Sequence, residues 1–119
     1  MKNFLAAILI LIGITSYAQS DTLTAEQAKV LINKEVIVKG NIAGTRLFEN
    51  DGKKLFLINL DKRYPQTPLT VVLQDAAYRE LNLKEEIEDK TLIVKGIITL
   101  YKGKPQIIVT DLKNLTIKD

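Results

Sequence analysis

Two stretches of the chain repeat one another. Lys34 to Ile42 reads KEVIVKGNI and Lys90 to Ile98 reads KTLIVKGII, with Lys, Ile, Val, Lys, Gly and Ile identical in register. Both are apolar, β-branched segments broken at the same place by a glycine. A glycine inside a strand marks a bulge or a sharp bend, because it adds no packing and lets another backbone come close. Two long strands bent at matching points can each belong to two sides of one closed sheet. A solenoid is excluded, since two copies are too few and the segments that follow them differ.

The rest of the chain fits around these two strands. After Glu35 the apolar period is two: Val36, Val38 and Ile42 share one face, with Ile37, Lys39 and Asn41 on the other. Asn50-Asp51-Gly52-Lys53 signals a turn, followed by a strand from Leu55 to Leu60. Asp61 to Pro68 holds two prolines and reads as a loop, and Leu69 to Gln74 as a third strand. Asp75 to Leu81 resembles a helix with Asp75 as N-cap, and Leu83 to Asp89 a solvated acidic loop. Thr91 to Leu100 is the fourth strand, Tyr101 to Pro105 a tight turn and Gln106 to Thr110 the fifth strand, with Leu112 to Ile117 a last extended piece. Ahead of all this, Asp21 to Asn33 reads as a short helix in which Thr24 and Gln27 have capping-box spacing and Ala28, Leu31 and Ile32 form an apolar stripe. Three strands, a helix and two strands, with the first and fourth strands bent, is the order of an OB-fold. That fold is a five-stranded Greek-key β-barrel with a helix between strands 3 and 4. A sandwich needs more strands, and closure removes the edges that five short apolar strands would expose.

The first twenty residues, MKNFLAAILILIGITSYAQS, are of another kind. Lys2 precedes an apolar run from Phe4 to Ile14, and Ser16-Tyr17-Ala18 offers small residues where a signal peptidase reads. The run is shorter than the roughly 20 residues a membrane-spanning helix needs. The expected organisation is a signal peptide over residues 1–18, an N-terminal segment with a short helix over 19–34 and the barrel over 35–119, all β apart from short helices. The chain would be exported to the periplasm or the outside of a bacterium, with no stable membrane anchor after cleavage. At 119 residues, 46% of them apolar, it supports one core and no more. The absence of His and Cys removes the imidazole bases, thiolate nucleophiles, disulfides and ordinary zinc sites on which most catalytic schemes depend. No enzyme activity and no cofactor are expected.

Several segments resemble a known family. Leu57-Ile58-Asn59-Leu60, Tyr64-Pro65, Leu69-Thr70-Val71-Val72-Leu73, Lys95-Gly96-Ile97-Ile98 and the run from Tyr101 to Val109 (YKGKPQIIV) are similar to bacterial exported OB-fold domains of a type also found beside secreted nuclease domains. The resemblance extends from about Ala25 to Ile117, and Y-x-G-K-P-Q-I is its most specific part. It implies an OB-fold of the nucleic-acid-binding type and no catalysis. Three glycines of the family pattern are replaced, by Asn33, Asp61 and Asp89.

OB barrels hold oligonucleotides on the outer face of strands 2 and 3, between the loops joining strands 1–2 and 4–5. By parity, Phe56, Ile58, Leu60, Leu69, Val71 and Leu73 fill the interior. Leu55, Leu57, Asn59, Thr70, Val72 and Gln74 then face outward, none of them aromatic. The aromatic residues Phe48, Tyr64 and Tyr101 fall at the rims, among basic residues. Lys53, Lys54, Arg63, Lys102 and Lys104 are candidates for phosphate contacts, with Tyr101 for stacking and Tyr64 beside it as a further ligand-binding residue. The partner would be single-stranded DNA or RNA, or another anionic oligomer. The alternative makes these charges the solvated tips of turns, with Tyr64 resting on Pro65 and Tyr101 on Pro105. The partner is then an envelope protein held by Leu55, Leu57 and Val72. A metal pair of Asp61 with Asp51 or Glu49 fails, because no spacing gathers the six to eight oxygens calcium requires.

Overall fold

The computed structural model describes residues 21–119, so the signal peptide expected over residues 1–18 lies outside the described residues. Six strands follow a first helix: α1 (Ala25–Ala28), β1 (Glu35–Asn50), β2 (Lys53–Leu60), β3 (Leu69–Leu73), α2 (Asp75–Leu81), β4 (Thr91–Tyr101), β5 (Lys104–Val109) and β6 (Leu115–Lys118). β1 changes partner midway. Its Glu35–Asn41 half pairs antiparallel with β4, and the part from Ile42 onward pairs antiparallel with β2, with a shift of register between Ile42 and Gly44. β2 pairs antiparallel with β3, β3 parallel with β5, and β5 antiparallel with the end of β4. The pairings thus run β1–β2–β3–β5–β4 and return to β1, a ring-like arrangement, while β6 adds to the Thr91–Val94 end of β4. Among the described residues no helix is long and apolar enough to cross a membrane.

Burial follows the period of two. Val36, Val38 and Ile42 of β1, Phe56, Ile58 and Leu60 of β2, and Leu69, Val71 and Leu73 of β3 are all buried, as parity requires. Leu92, Val94, Ile98, Ile107 and Val109 complete the interior from β4 and β5.

The two echoing segments lie side by side. Val38 stands opposite Val94, and these residues occupy the same place in the two copies, so an approximate twofold axis passes between them. Backbone bonds on either side obey it. Asn33 N donates to Ile98 O at 2.7 Å as Asp89 N does to Ile42 O at 2.8 Å, and Ile98 N donates to Lys34 O as Ile42 N does to Lys90 O. Asn33 and Asp89 also match in conformation, with φ of 68° and 70°, and Asp61 has φ 66°. These are the three positions where the pattern of the domains that the sequence resembles has glycine. Asn and Asp are the residues that enter the left-handed region at least cost after glycine, so the replacements preserve the backbone.

The structure corrects four local expectations. The last extended piece begins as a turn of 3-10 helix over Leu112–Asn114, with Asp111 capping it, and only Leu115–Lys118 is extended. The first helix spans four residues rather than Asp21 to Asn33. Its capping box forms, with Thr24 Oγ1 accepting from Gln27 N at 3.1 Å and Gln27 Oε1 from Thr24 N at 3.0 Å. The flanks are drawn off by the sheet: Leu23 exchanges backbone bonds with Ile37 and Lys39, and Asn33 bonds Ile98. The first loop is a two-residue turn, with φ of 54° at Asp51 and 79° at Gly52, so Lys53 and Lys54 begin β2 instead of lying in a loop. The N-cap of α2 is Gln74, and Asp75 is the first helical residue.

The Asp75 carboxylate accepts from Arg79 Nε at 3.0 Å and from Lys54 N at 2.7 Å, fastening α2 to the start of β2. Arg79 first, and the Lys54 N–H second, hold this carboxyl below its ordinary value of 3.8. A carboxyl depressed in the folded state stabilises fully above its unfolded pKa and loses that contribution as pH falls through the folded one. Acid titration of the unfolding midpoint is therefore expected to fall less in Asp75→Asn than in the unchanged protein below pH ~4. Equal slopes in the two would remove this ion pair from the acid response.

Candidate functional site

The outer face of β2, β3 and β5 floors a groove of about 650 Å³. Its floor is ordered in rows by strand register. Arg46, Leu57, Val72 and Ile108 stand in one row across β1, β2, β3 and β5. Asn59, Thr70 and Gln106 stand in the next, across β2, β3 and β5. Phe48 closes one end opposite Leu55, Tyr64 comes in from the loop between β2 and β3, and Tyr101, Lys102 and Lys104 come from the β4–β5 hairpin. That hairpin is again a two-residue turn, with φ of 51° at Lys102 and 78° at Gly103.

Each rim aromatic ring carries a cation. Arg46 lies 4.8 Å from the centroid of Phe48, Lys102 5.4 Å from Tyr101 and Lys104 5.2 Å from Tyr64. The Lys104–Tyr64 contact joins two walls supplied by distant parts of the chain. Tyr64 is 59% exposed and Tyr101 60%, so both rings are largely open to solvent. A cation held over an exposed ring contributes about 0.5–1 kcal/mol, enough to bias the side chain without fixing it.

The charge of the groove is of one sign. Arg46, Lys102 and Lys104 line it, and among the described residues no Asp or Glu does. The acidic loop residues Glu85, Glu86 and Glu88 line a different depression, with Thr45 and Phe56. Since salt screens beyond about 8 Å under physiological conditions, this segregation matters more to a ligand than the small net charge of the chain.

Of the residues singled out by sequence, Tyr64, Tyr101, Lys102 and Lys104 are brought together in the groove. Lys53, Lys54 and Arg63 are not among its lining residues. Lys53 and Lys54 sit opposite Asn50 and Glu49 at the far end of the β1–β2 hairpin. Arg63 lies over Gly44, outside the groove lining, where its exposed guanidinium pairs with Glu88 at 3.0 Å. Arg46, Gln106 and Ile108 were missed. Parity held the signal only in β5, where a buried Ile107 puts Gln106 and Ile108 on the outer face. In β1 the register shift between Ile42 and Gly44 reverses the alternation, so Arg46 and Phe48 face out although Val36, Val38 and Ile42 face in. The outer face that seemed to lack aromatic residues acquires them from its neighbours.

Chemically, the groove offers an apolar floor, three ring–cation pairs and a polar row, a combination suited to an extended ligand that alternates flat groups with negative charge. No protein-family model matches the chain, and no curated protein matches it. Among solved structures, the chain is similar in fold to a Klebsiella pneumoniae subsp. pneumoniae protein named "putative nucleic acid-binding lipoprotein", with a TM-score of 0.52 and 12% identity. The similarity covers 88% of this chain and 97% of that one, and at such identity it is a likeness of fold alone.

Proposed function

We propose that this chain is an exported, non-enzymatic OB-fold module that holds single-stranded nucleic acid in its groove. The observation that carries the reading is the lining: every charged side chain in it is cationic, and each cation sits on an aromatic ring. The closed order of strand pairings supports the OB assignment, since the groove then occupies the face such barrels use. The name of the Klebsiella protein points the same way. Arg46, Lys102 and Lys104 would neutralise phosphates, and Tyr64, Tyr101 and Phe48 would stack bases, each stacked base adding about 1–3 kcal/mol.

Fluorescence anisotropy with a labelled oligonucleotide is expected to show saturable binding that weakens with salt. Three phosphate contacts at ~0.7 each give a slope of log K against log salt near −2. Absence of binding at low salt would end this reading. A second reading rests on the Leu57–Val72–Ile108 row, which would equally floor a site for an apolar segment of an envelope protein. Such a partner would bind with little response to salt and be lost on Leu57→Asp.

A further inference from the structure

The floor of the groove contains one row that packing does not explain. Asn59 is 8% exposed and is the one buried polar residue among the described residues; its neighbours along β2, Ile58 and Leu60, are fully buried and apolar. A polar side chain so far from water costs stability unless its groups are paired. Only part of Asn59 is paired. Its Oδ1 accepts from Thr70 Oγ1 at 2.9 Å, while its Nδ2 donates no hydrogen bond among the described residues. That nitrogen is not a buried orphan either, since no described buried side-chain N or O atom lacks a partner. It therefore opens onto the groove that Asn59 lines.

Thr70 continues the pattern. Its one proton is committed to Asn59, so its oxygen is left as an acceptor only. Gln106, next across the floor, has a side-chain amide free of hydrogen bonds to described residues. Asn59, Thr70 and Gln106 thus present a fixed donor, a fixed acceptor and an adaptable amide in one line, beside a purely aliphatic row. Phosphates would be served by the cations at the rim, and stacking by the rings. Neither needs a donor beside an acceptor at the bottom of the groove. A planar ring bearing an acceptor next to an N–H does.

We infer that the Asn59–Thr70–Gln106 row reads the hydrogen-bonding edge of a nucleobase, so that the groove selects base-bearing strands over featureless polyanions. This rests on the nucleic-acid reading above and deepens it. The edge contributes through one or two hydrogen bonds, which makes the expected discrimination about tenfold.

The test uses three probes: a short oligothymidylate, the same strand with thymines replaced by the non-hydrogen-bonding shape mimic difluorotoluene, and inorganic polyphosphate. The mimic keeps charge and stacking and lacks the edge. The unchanged protein is expected to bind oligothymidylate about tenfold more tightly than the mimic strand, and polyphosphate more weakly than either. In the double variant Asn59→Leu with Thr70→Val, both members of the buried pair become apolar, so the unfolding midpoint should not fall. The preference for thymine over its mimic should vanish there, with the salt slope unchanged. A role in folding alone would move the midpoint and leave the preference intact. Equal binding of thymine and mimic strands by the unchanged protein, or a preference that survives the double variant, overturns the inference while leaving nucleic-acid binding standing. Binding of none of the probes overturns both.

Discussion

Lys102→Glu combined with Lys104→Glu is expected to abolish oligonucleotide binding at physiological salt. These lysines lie on either side of Gly103 at the tip of the β4–β5 hairpin, over Tyr101 and Tyr64, and both are exposed. Each reversal turns an attraction of about 1 kcal/mol into a comparable repulsion at contact distance in a water-like dielectric. Two reversals then cost ~2–4 kcal/mol, or roughly 30- to 1,000-fold in affinity. The salt slope measured at low ionic strength should shrink by ~1.4, the share of two phosphate contacts. Because neither lysine packs in the interior, the unfolding midpoint should stay where it was. The matching reversal of Lys53 and Lys54, which sequence alone ranked as their equals, is expected to cost distinctly less affinity, since neither side chain lines the groove. If both pairs weaken binding equally, the ligand does not lie where the groove is.

The largest effect on stability should come from Gly96→Ala. A Cβ at Gly96 would stand 2.5 Å from Cγ2 of Ile107, well inside van der Waals contact. Ile107 is fully buried and β-branched, so its methyl has no free rotamer to swing into. Overpacking of this kind costs about 1–3 kcal/mol. For a domain of this size that is a fall of roughly 5–20 °C in the unfolding midpoint. The twofold-related residue supplies the control. A Cβ at Gly40 would meet Asp61 Oδ1 at 3.1 Å, an exposed carboxylate that can shift by a few tenths of an ångström. Gly40→Ala should cost distinctly less, even though Asp61 Oδ1 also accepts from Asn41 N at 3.0 Å. Circular dichroism melts of the two variants decide it, and equal shifts would show that Ile107 yields more than its branching suggests.

The strands were legible in sequence because their signal is local. Alternation at Val36, Val38 and Ile42, the Asp51-Gly52 and Lys102-Gly103 turns and the matched glycines all lie within a few residues of what they determine. The bend of β1 was legible for the same reason, and the change of partner near Ile42 follows it. The extent of α1 was not, because competition from β1 and β4 for the backbone of Leu23 and Asn33 comes from residues distant in the chain. The groove was half legible. Tyr64, Tyr101, Lys102 and Lys104 announced themselves as a cluster of rings and charges at turns. Arg46 and Gln106 did not, since each gains its meaning from the strand it lies beside. Lys53, Lys54 and Arg63 looked equivalent to the groove lysines by composition. What separates them is a position just beyond the Phe48–Leu55 pair that ends the groove, and for Arg63 an ion pair with Glu88, neither visible before the chain is folded.

The axis between Val38 and Val94 has one more implication. A strand whose natural mate is nearly its own copy carries the instructions for pairing with the same strand of a second molecule, antiparallel and in register. Nothing in the ladder itself forbids such a mismatch. What favours the proper closure is tethering, which keeps the correct mate at an effective concentration on the order of millimolar. Below that the ring shuts on itself; in crowded refolding mixtures the same likeness becomes a route to intertwined pairs of chains.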